Sequence, residues 1–143
     1  MEKYLVGSRY FFENEPDFNS KDYDYVTLVD NPVTFKDYRQ LTGLGHCLFD
    51  WRRMSAEEFV DFTLNYCHPM TIGKFLVPEF AREIGLTLDL LKKLQPKVNQ
   101  LNKSHRYEKI IFESYLENGE FELTEEQRHR AYVEYTEARR KNK

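Results

Sequence analysis

The pattern of apolar and polar positions divides the chain into two unlike halves. Near the start, Tyr4-Leu5-Val6 is a short apolar run that stops at Gly7, the pattern of a strand running into a turn. Asn14 to Lys21 is polar and contains Pro16, which predicts a loop. Tyr23 to Val29 is rich in Tyr, Val, Thr and Leu, which fit a pleated, half-buried surface. It predicts a strand ended by Asp30-Asn31-Pro32. Phe35 to Leu41 suits a short helix, Gly43-Leu44-Gly45 a turn, and His46 to Trp51 a third strand.

From Ser55 onward the period becomes helical. Ser55-Ala56-Glu57-Glu58 has the form of a capping box, in which the serine caps the first turn and the glutamate reaches back. Behind it Phe59, Phe62, Tyr66 and Cys67 recur at helical spacing. Thr71 to Ile84 predicts a second helix, kinked or split at Pro78. Leu86 to Leu94 predicts a third, ended by Pro96. Ser104 to Leu116 predicts a fourth, with Tyr107, Ile110, Ile111 and Tyr115 on one face and Asn118-Gly119 as its stop. Thr124-Glu125-Glu126-Gln127 is a second capping box, opening a last helix that runs to about Arg140. The expected class is α+β: one domain over 1–143, with a small mixed sheet in 1–53 and a helical part in 54–143.

Composition supports a real core. The chain has 143 residues, of which 41% are hydrophobic and 15% aromatic, enough large side chains to argue against disorder. The net charge of −3 argues against a protein that coats nucleic acid non-specifically. The charge is uneven: residues 1–50 hold nine Asp and Glu against five Lys and Arg, while the remainder is nearly balanced. A locally acidic first part suits a divalent cation better than an anion. Cys47 and Cys67 have neither a metal-ligand spacing nor a disulfide framework and read as reduced, buried thiols in a cytoplasmic protein. No stretch resembles a signal peptide, and no apolar run approaches the roughly 20 residues of a membrane span.

Candidate chemistry lies in the first part, in a fixed order: Gly7-Ser8 after a strand, Asp22-Tyr23-Asp24 at the start of the next, and Phe49-Asp50-Trp51 in a third. In a strand, residues two apart point to one face, so the Cα atoms of Asp22 and Asp24 would lie roughly 7 Å apart. Two carboxylates so placed repel unless a hard cation sits between them. Gly7 lets the backbone approach closely or take positive φ, and Ser8 adds a hydroxyl and an N–H suited to an anion-binding turn. Arg9 adds charge. Asp50 is bracketed by Phe49 and Trp51, where an unpaired charge is costly; metal coordination or proton abstraction from an attacking hydroxyl accounts for it.

Val6-Gly7-Ser8-Arg9, then Asp22-Tyr23-Asp24-Tyr25, then Phe49-Asp50-Trp51 resembles the DNA polymerase beta-type nucleotidyltransferase superfamily, over about the first 51 residues. That family's pattern is a Gly-Ser turn, an Asp-apolar-Asp strand and a third acidic strand residue. The resemblance implies a minimal nucleotidyltransferase domain whose small sheet carries the active site. It implies magnesium-dependent transfer of a nucleoside monophosphate from a nucleoside triphosphate, ATP among them, to an acceptor hydroxyl. Gly7, Ser8 and Arg9 would contact the nucleotide, Asp22 and Asp24 would ligate one or two magnesium ions, and Asp50 would ligate metal and help deprotonate the acceptor. The acceptor stays open between nucleic acid, protein and small molecule. The alternative is a catalytically inactive member of that fold serving as a binding or regulatory module. The chain begins almost directly on its first strand, where relatives carry a helix; the sheet face left poorly covered points to a homodimer or a protein partner.

Outside this region the expectations are plainer. His46 and His68 read as structural. Lys103, His105, Arg106 and Lys74 read first as solvated helix positions, and second as contacts to phosphate or base. In the last helix Arg128, Arg130, Arg139 and Arg140, followed by Lys141 and Lys143, are expected to bind an acidic partner rather than to build core.

Overall fold

The computed structural model describes residues 2–19, 24–28, 55–66 and 68–140. The expected helix at 35–41, the turn at 43–45 and the strand at 46–51 lie outside the described residues, as do Asp22, His46, Cys47, Asp50, Cys67, Lys141 and Lys143. The chain divides into two compact units, Met1–Ser55 and Ala56–Lys143. It is of the α+β kind, a small sheet followed by a mostly helical remainder.

In the first unit β1 (Glu2–Val6) pairs antiparallel with β2 (Asp24–Leu28), in a register that sets Tyr4 opposite Val26 and Val6 opposite Asp24. Alternation along the strands puts Val6 and Val26 on one face, and both are buried; Leu5 and Tyr25, on the other face, are half-buried. The pair is antiparallel, and no parallel pairing that would make the sheet mixed lies among the described residues. Between the strands the described residues form a short helix, α1 (Ser8–Phe12), then a run of turns closed by backbone hydrogen bonds from Glu15 N to Phe12 O and from Phe18 N to Glu15 O. Phe11 and Phe12 are buried by that helical turn.

The second unit is built from helices whose ends follow local chemistry. The first, α2 (Ala56–Tyr66), begins one residue after Ser55. Its buried described positions are Ala56, Phe59, Val60 and Thr63, whereas Phe62 is 40% exposed. Helical spacing puts Phe62 on the apolar stripe, but the face that packs is rotated toward Val60 and Thr63. The expected second helix is two elements. Pro69–Leu76 winds as a 3-10 helix, and α3 (Pro78–Ile84) starts afresh with Pro78 in its first turn. An α-helix continued through Pro78 would drive its ring into the Lys74 carbonyl, and the residue before a proline is kept out of the α region. Val77 is accordingly extended, at φ −85° and ψ 114°.

Gly85 ends α3 at φ 76°, with Gly85 N bonded to Arg82 O and Leu86 N to Ala81 O. Leu86 therefore belongs to the cap of α3 and not to the next helix, which is shorter than expected. That helix is α4 (Leu88–Lys92), capped by Thr87 Oγ1 accepting from Leu90 N. Pro96 does not end it but sits in the first turn of α5 (Gln95–Val98), where a missing N–H costs nothing. A 3-10 turn at Lys103–His105 leads into α6 (Arg106–Asn118), which stops at Gly119 with φ 73°. The second capping box forms as expected: Gln127 N donates to Thr124 Oγ1 at 3.1 Å and Thr124 N to Gln127 Oε1 at 3.0 Å, opening α7 (Glu125–Arg140).

The core of this unit is aromatic. Phe59, Phe75 and Phe80 are essentially fully buried, with ring centroids 6.2–6.3 Å apart. Leu91, Leu94, Ile111 and Phe112 are fully buried as well. Tyr115 donates its hydroxyl to Leu76 O at 2.7 Å, across 39 residues of sequence. Helix α7 contributes Ala131, Tyr132, Tyr135 and Ala138 to the core.

In its last turn one of the basic residues expected to bind a partner rather than to build core is tied into the fold. Arg139 donates from Nη1 to the carbonyls of Ser104 and Tyr135, both at 3.2 Å, and its guanidinium lies 3.5 Å from the centroid of the Tyr135 ring. A long side chain at a helix C-terminus here ties two segments together. Truncation after Ala138 is therefore expected to cost about 1.5–3 kcal/mol, the range for hydrogen bonds made by a charged group. The melting temperature should fall by roughly 4–8 °C for each kcal/mol lost. A thermal scan of the truncated chain that matches the full chain would return the tail to solvent.

Candidate functional site

The expected nucleotide-contacting segment sits where β1 gives way to α1. Gly7 takes φ 82° and ψ −162°, a region closed to residues with a Cβ, and its carbonyl accepts from Tyr10 N at 3.1 Å. Glycine is therefore required for the chain to leave the strand and enter the helical turn at once. Ser8 is the first residue of α1 and is half-buried.

Arg9 makes contacts within its own segment. Its side chain is 12% exposed, 3.8 Å from Glu13 Oε1, and its guanidinium lies 5.4 Å from the centroid of the Phe18 ring. These contacts fasten α1 to the turns that follow it.

Antiparallel register brings one expected carboxylate residue to this turn. Asp24, the first residue of β2, pairs with Val6, the last of β1, so the backbone of Asp24 lies beside the Gly7 turn. Among the described residues no group of three His, Cys, Asp or Glu is gathered for a metal; Asp22 and Asp50 are not among them.

In the second unit the positions weighed as phosphate contacts separate. Lys103 and Arg106 are exposed, and Lys74 is buried at 5% exposure. His105 is half-buried and paired: its Nδ1 lies 3.0 Å from Oε1 of Glu108. Glu108 is 4% exposed and was not singled out from the sequence. The signal was there in the spacing, since a His and a Glu three apart share a helical face. Burial, and next the Glu108 carboxylate, hold the phenol of Tyr107 well above its ordinary range.

Comparison with known protein families, with curated proteins and with solved structures found no match for this chain. Among the described residues no helix is long and apolar enough to cross a membrane.

Proposed function

We propose that the chain is a magnesium-dependent nucleotidyltransferase, moving a nucleoside monophosphate from a nucleoside triphosphate to an acceptor hydroxyl. The observation that carries this reading is the hairpin register: the Gly7-Ser8 turn, in a conformation that only glycine adopts, lies next to the residue that begins the second strand, Asp24. A turn of this kind suits phosphate oxygens through its backbone N–H groups, and an aspartate at the neighbouring strand position would supply a carboxylate for the cation that phosphate brings.

In this reading Gly7 and Ser8 receive the triphosphate. Asp22, Asp24 and Asp50 would hold magnesium, which when bound offsets phosphate charge. Asp50 takes the proton from the acceptor hydroxyl. Arg9 acts through its grip on Glu13 and Phe18, fixing the course of the chain after the turn instead of touching phosphate. Nucleic acid, protein and small molecule are the acceptor classes to be assayed.

Asp24→Asn tests the reading directly. The substitution is expected to abolish magnesium-dependent binding of the triphosphate while leaving stability without metal unchanged or slightly higher, because it relieves repulsion with Asp22. Titration calorimetry with and without magnesium reads the first effect and thermal unfolding the second. Equal nucleotide affinity in the variant and the native chain would remove Asp24 from the site.

A further inference from the structure

The helical unit carries a polar pair that its packing does not require. Glu108 is 4% exposed; His105 meets its Oε1, while Oε2 is buried with no hydrogen-bond partner and faces Gly73. A Cβ added at Gly73 would lie 2.7 Å from that oxygen, so glycine leaves the room the carboxylate occupies. Burying a carboxylate with half its hydrogen bonds unmade costs stability, and an apolar side chain of similar volume would avoid that cost.

What the arrangement does achieve is control of an imidazole. A carboxylate only accepts hydrogen bonds, so the Nδ1 of His105 carries the proton in this contact. Nε2 of the neutral ring then holds the lone pair, and Glu108 stabilises the ring if that nitrogen gains a proton. The ring is 21% exposed against 5% for the carboxylate, so the imidazole is the end of the pair that meets solvent. Lys103 and Arg106 lie within two residues of His105 in sequence and are exposed, and Arg139 reaches the carbonyl of the neighbouring Ser104. Exposed basic residues on the stretch of chain that carries the imidazole favour a small anion.

We propose that His105, oriented by Glu108, is a proton-accepting site for a phosphate monoester. The monoanion of a monoester carries one P–O–H, and the lone pair on Nε2 is a base that can accept that proton. The step is a proton transfer alone: the P–O–H bond of the monoanion breaks and an Nε2–H bond forms. The product is a dianion held by an imidazolium, on a stretch of chain that also carries the exposed Lys103 and Arg106. A phosphodiester has no such proton, and sulfate is a dianion that has none to give. The inference concerns the helical unit and stands independently of the nucleotide site.

Nitrogen-detected NMR of the full native chain, labelled at histidine, tests it with inorganic phosphate as the probe. His105 is expected in the Nδ1–H tautomer, with a saturable shift of its Nε2 on adding phosphate at neutral pH and a much smaller shift with sulfate. His105→Gln, at a partly exposed position, should keep the fold and weaken phosphate binding by about tenfold, the loss of one charged hydrogen bond. Glu108→Gln should mix the tautomers. The Nε2–H tautomer in the native chain, equal response to sulfate and phosphate, or no saturable shift would each overturn the proposal, whether or not the Glu108 variant folds.

Discussion

Asp50→Asn is expected to keep most of the affinity for the nucleoside triphosphate and to lower transfer by about 10²–10⁴, the usual worth of a positioned general base. The asymmetry follows from what each group does. The Gly7-Ser8 turn, Asp22 and Asp24 are retained in the variant, and these are the groups assigned to the ground-state complex. The acceptor hydroxyl loses its base, because an amide does not take up the proton. An interaction made mainly in the transition state shows as lost turnover with affinity preserved. A radiolabelled-nucleotide transfer assay, with cell extract as the source of acceptors, measures the drop. Native protein that binds triphosphate and magnesium yet labels nothing would favour a binding or regulatory module. A variant that transfers as fast as the native chain would make Asp50 a structural carboxylate.

Phe75→Ala is expected to cost about 3–5 kcal/mol, the range for removing a fully buried phenylalanine. That is a large share of the roughly 5–15 kcal/mol that stabilises most folded proteins. Phe75 is fully buried, 6.3 Å from the Phe59 ring and 6.2 Å from the Phe80 ring. It holds the 3-10 helix Pro69–Leu76 against both neighbours, and that segment has little intrinsic tendency to keep its shape. Phe75→Leu retains much of the buried volume and should cost clearly less. Urea unfolding followed by circular dichroism gives both values. A midpoint for the alanine variant within about 1 kcal/mol of native, at unchanged slope, would show that the aromatic cluster does not hold this unit together.

The elements the sequence predicts well are those whose cause is local. Thr124 and Gln127 satisfy each other's backbone partners within one turn, so the start of α7 follows from four residues read in order. Gly119 takes positive φ, and Pro78 excludes an α-helical neighbour, for reasons that need no tertiary contact. The turn at Gly7 belongs to the same class: an apolar run stopped by glycine predicts a strand and a change of direction, and the backbone angle shows why the residue is glycine. The extent of 3-10 winding before Pro78, and the loss of Leu86 to the cap of α3, follow from rules of equally short range, though the apolar periodicity of those segments pointed to longer helices.

Tertiary structure decides the rest. Phe62 keeps helical spacing with Phe59, but which side of α2 is buried depends on what packs against it, and Val60 and Thr63 win that place. Arg139 reads as one more charge in a basic tail until Ser104, 35 residues away, is folded within reach of its guanidinium. Glu108 reads as an ordinary first-turn glutamate until the backbone at Gly73 closes over it. The pairing of residue 24 with residue 6 likewise follows from register, which depends on both strands at once. Periodicity and capping are properties of neighbouring residues and are written in their order. Burial, register and long-range hydrogen bonds belong to pairs far apart in sequence, and they exist only once the chain has brought those pairs together.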